Sequence, residues 1–264
     1  MPRLGLGSSL TGGVPPSEVP FTNEYSLDFD GTNDVVEVAD ASAWGGAGDG
    51  YDADFTLACW IKADDSEWQY YISSIEDDDK PIVKFGYSRN DNALHLHLVG
   101  ADPGGNLLVS QVGTADPHDD GNWHHVAVVV IRAGGASPAN KGQYYIDGAV
   151  DGGTFSITGV DDDLFQTENP TRIGGLASFY FFNGGIDEVA MWNDALSAED
   201  MEKIYNSGVP TDLTSSGSYD TDRTGNLKGY WRFTEGTGTS VEDLSGEGNT
   251  GTISGASWDT DVPS

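Results

Sequence analysis

The chain has 264 residues, of which 43 are Asp or Glu and 12 are Lys or Arg, so its formal net charge is -31. Because phosphates and anionic headgroups repel such a chain, nucleic acid and membrane surfaces are poor partners for it. Hydrophobic residues make up 37% of the sequence, which is enough for a packed core and is not typical of a disordered acidic chain.

Residues 1–24 are rich in Gly, Ser and Pro and show no hydrophobic periodicity, which predicts an extended N-terminal arm outside the core. The arm is either a mobile tail or a segment that docks on a neighbouring subunit and so builds a homo-oligomer. It has no apolar stretch of the length that a secretory signal needs, and no window of the chain reaches the ~18 apolar residues of a membrane span. We therefore expect no signal peptide and no transmembrane segment.

From Tyr25 onward, short runs of alternating apolar and polar residues predict β-strands. Residues 25–29 and 36–38 flank the turn sequence 30–33, which predicts a β-hairpin. Residues 126–131 are apolar on both faces, so this strand is expected in the centre of a covered sheet. Further strands are predicted around residues 55–61, 70–72, 82–85, 94–98, 144–146 and 186–192. About a dozen short strands with regular turns indicate an all-β, antiparallel two-sheet β-sandwich or jelly roll.

One short helix is predicted at about residues 198–206. Ser197 can cap its first turn, and Asp200 lies three residues further on, where a carboxylate favours the positive end of the helix dipole. Gly208 and Pro210 end the pattern. The helix therefore packs as a single element on a β body and does not belong to an α/β repeat.

The last segment, residues 225–264, predicts a strand, a turn, a second strand, a loop rich in Gly and Asn, and a final strand. Its core sequence starts with Tyr230-Trp231 and Phe233, and its loop carries Asp243, Ser245-Gly246 and Gly248-Asn249. These patterns are the final part of a longer series of motifs.

Taken together, the motifs resemble the laminin-G-like domains of the concanavalin A-like lectin and glucanase superfamily. They lie at residues 27–34, 55–62, 123–128, 145–148, 173–175, 182–197 and 230–249. The resemblance implies a concanavalin A-like sandwich. In many family members the block matching 230–249 precedes the first motif, whereas here it closes the chain. We therefore predict one permuted domain over residues 25–264, because chain ends that lie close together allow such a rearrangement.

Catalysis has no visible machinery in the sequence. Glycosidases of this superfamily need two carboxylates that face each other at about 5–9 Å across the scissile bond. The Glu-x-Asp-x-x-Glu pattern of the laminarinase type is absent. Asp187 and Glu188 are adjacent, so they are expected to point to opposite faces of their strand. We expect a protein that is not an enzyme.

A structural Ca2+ ion is implied by the resemblance. Asp243 and Asn249 of the Gly/Asn-rich loop, together with Asp187, are the predicted ligands, since carboxylate and amide oxygens suit this ion. The alternative is that Asn249 forms a turn and Asp243 accepts backbone hydrogen bonds.

Exposed aromatic rings with polar neighbours are the side chains that glycan binding requires. Trp44 and Tyr51 lie in a Gly-rich stretch and Trp68 in a polar one, which makes them candidate ligand-binding residues. His95 and His97 are two apart on one predicted strand and so face the same way, which makes them further candidates for contact with a ligand or a metal. The alternatives are that the rings plug a sheet edge and that the two histidines lie on a solvated strand face.

We therefore predict a non-catalytic binding or adhesion module that recognises glycan or protein. The N-terminal sequence looks like that of virion proteins of tailed bacteriophages, which implies a capsid decoration or tail adhesin located on the virion and outside the cell after lysis. Other virion proteins are then possible partners. A purely structural assembly protein without glycan binding and, less favoured, a glycosidase are the alternatives.

Overall fold

The structure is a computed structural model, and it describes residues 21–38, 54–64, 67–74, 82–99, 107–118, 120–132, 140–157, 170–176 and 179–264. Within these ranges no helix has the length and apolar character needed to cross a membrane.

The described residues form two antiparallel sheets of eight strands each, together with one α-helix. The strands are β1 (Ser26–Asp30), β2 (Val35–Val38), β3 (Phe55–Ala63), β4 (Gln69–Ser74), β5 (Ile82–Ser88), β6 (Ala93–Val99), β7 (Leu107–Val112), β8 (His124–Ile131), β9 (Lys141–Ile146), β10 (Ala149–Ser156), β11 (Thr171–Ile173), β12 (Asn183–Trp192), β13 (Leu227–Trp231), β14 (Ser240–Val241), β15 (Gly251–Ser254) and β16 (Ser257–Asp259). The helix is α1 (Ala198–Tyr205), and short 3-10 turns span Asn206–Gly208, Ser216–Ser218 and Thr224–Asn226.

Sheet A has the strand order β10-β9-β8-β3-β12-β1-β16, with β13 also paired to β12, and sheet B has the order β14-β15-β2-β11-β4-β5-β6-β7. The predicted all-β sandwich with one short helix is thereby confirmed. The strand predicted to be central, β8, lies between β3 and β9 and is buried on both faces.

The main core fills the space between the sheets. Alternate residues of each strand point into it, for example Leu57 of β3, Phe85 of β5, Leu96 of β6 and Trp231 of β13, and all four are buried. A second cluster covers the outer face of sheet A under α1 and includes Trp192. Sheet A is therefore packed on both of its faces.

The predicted hairpin of β1 and β2 is wrong, because the two strands belong to different sheets. β1 pairs with β12 and β16 in sheet A, while β2 pairs with β11 and β15 in sheet B. Between them Gly31 adopts a positive φ of 72° and donates its backbone N–H to the Phe182 carbonyl. The turn sequence was correctly placed, but it carries the chain across the sandwich.

Helix α1 begins as predicted. The Ser197 side chain accepts a hydrogen bond from the Asp200 backbone N–H, and the Asp200 carboxylate accepts one from the Ser197 N–H, which is a complete capping box. Asn206, in the left-handed conformation, ends the helix.

The C-terminal segment contributes to both sheets. β13 lies beside β12, β15 beside β2, and β16 beside β1 with Leu27 opposite Trp258. The first and last strands of the described chain are thus direct neighbours.

Candidate functional site

The outer face of sheet B carries an unusual set of side chains where β4, β5 and β6 meet. Leu94, Leu96 and Leu98 of β6 point into the core, so His95 and His97 lie on the opposite face. In the sheet register, His97 is paired with Lys84 of β5 and His95 with a glycine.

Trp68, which directly precedes β4, packs on the first of these histidines. Its ring lies edge-on to the His95 ring at a centroid distance of 5.2 Å, and the His95 and His97 rings are 5.9 Å apart. Three of the five predicted ligand-binding residues therefore lie side by side. The expectation of a solvated strand face does not hold for His95, which is buried.

Two further rings come from the segment after β11. The Tyr180 ring centroid lies 6.2 Å from that of Trp68 and 5.8 Å from that of Tyr70, and the Phe179 ring contacts Tyr180 at 4.9 Å. Tyr180 has a positive φ of 61°, and its carbonyl accepts a hydrogen bond of 3.3 Å from the Tyr70 N–H. The Phe179 and Tyr180 side chains remain 49% and 44% exposed, so this end of the cluster faces solvent.

We call this cluster the aromatic platform. Its members are Trp68, Tyr70, His95, His97, Phe179 and Tyr180. Phe179, Tyr180 and Tyr70 are not among the ligand-binding residues predicted from the sequence. The available signal was the run of four aromatic residues at 179–182, of which Phe182 enters the core.

Gly86 sets the spacing under the platform. It is paired with both Tyr70 and His95, and a Cβ atom built on it would lie 2.0 Å from the Gln69 carbonyl oxygen. Any larger residue would push β4 away from β5, since a backbone atom cannot give way cheaply. The missing side chain thus allows the rings on β4 and β6 to lie close together.

The surroundings of His95 and His97 favour their uncharged forms. Burial lowers the pKa of His95 to about 4, and burial together with the Lys84 ammonium lowers the pKa of His97 to about 4. The Lys84 Nζ atom lies 6.0 Å from the centre of the Tyr70 ring. At neutral pH both imidazoles are therefore uncharged, and each offers one hydrogen-bond donor and one acceptor.

A cavity of about 310 Å³ lies elsewhere, on the outer face of sheet A. Val129, Tyr145 and Leu196 contribute apolar surface to it, and Lys141 and Ser197 line its polar side. Trp68, His95 and His97 do not line this cavity. Trp44 and Tyr51 lie outside the described residues.

The predicted calcium ligands Asp243 and Asn249 hydrogen-bond to backbone groups of their own segment. Both Asp243 oxygens accept backbone hydrogen bonds, Oδ1 from Tyr230 and Ser245 at 3.0 and 2.9 Å and Oδ2 from Asn249 at 2.8 Å. The Asn249 Nδ2 group donates to the Lys228 carbonyl at 3.1 Å. Asp243 therefore stabilises the turn at residues 243–249 by accepting backbone hydrogen bonds. No three His, Cys, Asp or Glu side chains of the described segments are grouped so that they could hold a metal ion.

Asp187, the third predicted ligand, takes part in a different cluster. The sheet register shifts between Asp187 and Ala190, and Glu188 adopts a positive φ of 49°. Through this bulge Glu188 accepts a hydrogen bond from the Tyr230 hydroxyl on the outer face of sheet A, where Asp187 also lies opposite Trp60. The expectation that the two acids point to opposite faces is therefore wrong.

The acid pair is closed to solvent. Asp187 is 0% and Glu188 4% exposed, and burial raises the pKa of both carboxyl groups. Arg232 compensates for the charge with a 3.0 Å bond from its Nε atom to Glu188.

Residues 21–23 of the predicted arm cover this pair. Asn23 donates to the Asp187 carboxylate at 2.7 Å, and Arg232 donates to the Thr22 carbonyl at 3.1 Å. The Arg232 guanidinium also lies 3.9 Å from the centre of the Phe21 ring. The end of the arm is therefore packed on the domain.

Comparisons with known proteins agree with this fold. A structure from Bacteroides ovatus, named "putative carbohydrate binding protein", is similar with a TM-score of 0.60 and 20% identity, over 92% of this chain and 62% of that one. The native heptameric SAP-like pentraxin from Limulus polyphemus follows with a TM-score of 0.49 and 16% identity, over 69% of this chain and 82% of that one.

The chain thus spans 62% of the length of the Bacteroides ovatus structure. No curated protein sequence matches it. The family model described as the concanavalin A-like lectin/glucanases superfamily matches residues 30–202. The chain belongs to the concanavalin A-like lectin and glucanase superfamily.

Proposed function

We propose that the chain is a non-catalytic carbohydrate-binding module that holds sugar rings on the aromatic platform. The observation that carries this proposal is the contact of exposed Tyr180 with Trp68 and with exposed Phe179, beside two uncharged imidazoles. Sugar recognition needs both an apolar surface and polar groups close to it.

In this mechanism the apolar face of a pyranose ring packs on the exposed rings. Its hydroxyl groups then exchange hydrogen bonds with His97, which is half-buried, and with the Tyr180 hydroxyl. The sheet fixes His97, and the bond from the Tyr70 N–H fixes Tyr180, so little ordering remains to be done on binding.

The similarity to the Bacteroides ovatus structure supports the proposal as an analogy of fold, since its name gives carbohydrate binding. The acid pair of β12 does not favour the alternative of a glycosidase. Asp187 and Glu188 lie buried under residues 21–23, and Arg232 already neutralises one of them. A sugar cannot reach these carboxylates in this structure.

Removal of single rings tests the proposal. We expect Tyr180→Ala and Trp68→Ala to weaken glycan binding about 30-fold each, because truncating an aromatic anchor costs ~2 kcal/mol. Tyr180→Phe is the matched control and should bind within about threefold of the parent, since it keeps the ring and loses one hydrogen bond worth ~0.5 kcal/mol. A glycan array finds the ligand, and calorimetry measures the affinities.

Thermal melting of each variant separates lost binding from lost folding. An array without any bound glycan for the folded parent would contradict the proposal and favour a purely structural role in an assembly. Equal affinities of the parent, Tyr180→Ala and Trp68→Ala would place the sugar elsewhere.

The finer setting on a virion surface, with other virion proteins as partners, stays a prediction of the N-terminal sequence. Mass spectrometry of purified particles tests it. A homo-oligomer and a structural Ca2+ ion likewise stay predictions.

A further inference from the structure

We infer that the aromatic platform selects uncharged glycans over glycans that carry carboxylates or amines. This inference rests on the proposed function and names its substrate class. It follows from the charges next to the platform and from the charge of the whole chain.

The cations near the platform offer little to an acidic sugar. Arg89, in the turn between β5 and β6, forms a 2.6 Å ion pair with Glu67, and Arg172 of β11 forms one of 2.9 Å with Glu37. A third cation of the described residues, Lys84, is 7% exposed and lies beside the Tyr70 ring. An anionic group at either arginine would lie beside the negative charge of the paired glutamate, and at Lys84 it would have to enter a buried position.

The charge of the chain acts in the same direction. With a net charge of -31, the protein repels a polyanion over the distance at which the two first meet. Acidic polysaccharides repeat their carboxylates at every unit or every second unit, so each stacked ring would bring this repulsion with it. The cost is largest at low salt.

A cationic sugar meets a different obstacle. Lys84 is paired with His97 in the sheet register, and its ammonium group acts directly on this histidine, since it contributes to lowering the pKa. An amine held against His97 would lie in the same positive field. The acidic chain attracts a cationic sugar from a distance, but Lys84 repels the sugar's amine at the platform itself.

An uncharged glycan pays neither cost. Its binding relies on stacking against Trp68 and Tyr180 and on hydrogen bonds to the neutral imidazole of His97 and to the Tyr180 hydroxyl. Neither interaction depends on ionic strength, and the imidazoles keep their uncharged form from mildly acidic pH upwards.

The experiment compares three ligand classes on the folded full chain and on Tyr180→Ala. Oligosaccharides of neutral hexoses, of uronic acids and of glucosamine are measured by calorimetry in about 0.05 M and about 0.5 M salt. We expect neutral oligosaccharides to bind at least about tenfold more tightly than either charged class. Their affinity should change by less than about twofold with salt, because screening acts only on charged ligands. Tyr180→Ala should weaken this binding about 30-fold.

Each outcome decides a different point. Binding of uronic acids or glucosamine that equals or exceeds neutral binding, and that Tyr180→Ala removes, would overturn the inference and leave the proposed function intact. Binding of no class to the folded parent would overturn the proposed function and the inference with it. Binding that Tyr180→Ala leaves as tight as in the parent would show that the platform does not hold the sugar.

Discussion

His124 shows at the scale of one residue how this acidic chain uses its few basic groups. Its Nδ1 atom lies 2.8 Å from an Asp147 oxygen and its Nε2 atom 3.1 Å from an Asp120 oxygen. The hydrogen bond to Asp147, followed by that to Asp120, raises the pKa of His124 to about 9. His124 follows Trp123 in one of the family motifs. Its bonds to Asp120 and Asp147 hold these loops together, which is a structural role.

The raised pKa predicts a pH dependence of stability. A histidine in the unfolded chain titrates near about 6.5, so the folded protein holds an extra proton between that pH and about 9. The stabilisation by His124 is fully present below about pH 6.5 and is lost as the pH rises through about 9. We expect His124→Gln to flatten the fall in the free energy of unfolding over this window, as measured by urea denaturation at several pH values.

His125 provides the control. Burial lowers the pKa of His125 to about 4. Between that pH and about 6.5 the unfolded chain binds a proton at this residue and the folded chain does not, so His125 changes the stability only in this pH range. His125→Gln should leave the slope above pH 6.5 unchanged. Identical slopes for the parent and His124→Gln would mean that His124 is not protonated in the folded protein.

Local patterns made some residues predictable and others not. The cap at Ser197 and the shared face of His95 and His97 depend on neighbours three or two positions away in sequence. The bulge at Glu188 depends on a shift of register against β3, which no local pattern records. Tyr180 reaches the platform only because its segment lies over β4, a contact across more than a hundred residues.

At the scale of the elements, alternation predicted where strands occur but not how they pair. The β1 and β2 segments were located correctly and assigned to one hairpin, yet each belongs to a different sheet. A sequence period of two reports that one face of a strand is buried, and it carries no information on which strand lies beside it. The platform requires β4, β5 and β6 in register. Trp68, His95 and His97 were therefore predictable as single residues, but their contact was not.

The pairing of β4 with β5 leads to a prediction for Gly86. We expect Gly86→Ala to destabilise the protein by about 2 kcal/mol and to weaken glycan binding, since its Cβ atom would meet the β4 backbone and move Tyr70. Gly153 of β10 is the matched control, because a Cβ atom there has no neighbour within 4 Å. Gly153→Ala should change the stability by less than about 0.5 kcal/mol.

Denaturant unfolding gives the stabilities, and calorimetry with the neutral oligosaccharide gives the affinities. Equal stabilities of the two variants would show that β4 can move away from β5 at no cost. Intact binding by Gly86→Ala would show that the spacing of the platform is not set there.

At the scale of the whole molecule, we predict that the C-terminal segment belongs to the same folding unit as the rest. The family model ends at residue 202, whereas β13 to β16 lie beyond it. These strands supply neighbours to β12, β2 and β1, and Trp231 is fully buried between the sheets. Ser26 also donates its hydroxyl to the Asp261 carbonyl at 2.8 Å, so the two ends of the domain touch.

This closeness predicts that the chain tolerates a new order. A permuted chain would start at Gly217, run to Ser264, continue through a Gly/Ser linker of about ten residues to Phe21 and end at Ser216. Ser216 and Gly217 are exposed, so the new ends disturb no packed side chain. We expect it to unfold in one transition, with a melting temperature within a few degrees of that of the parent.

A chain of residues 21–216 alone separates the two interpretations. It lacks β13 to β16, so β12, β1 and β2 each lose a hydrogen-bonded neighbour, and the core loses Trp231 and Phe233. The free energy of unfolding lost with this buried apolar surface is larger than the roughly 5–15 kcal/mol by which a domain is typically stable. We therefore expect no cooperative melting of the truncated chain. If the truncated chain still unfolds in one sharp calorimetric transition, the last block is an accessory to a smaller domain, and the permuted chain owes its stability to that domain alone.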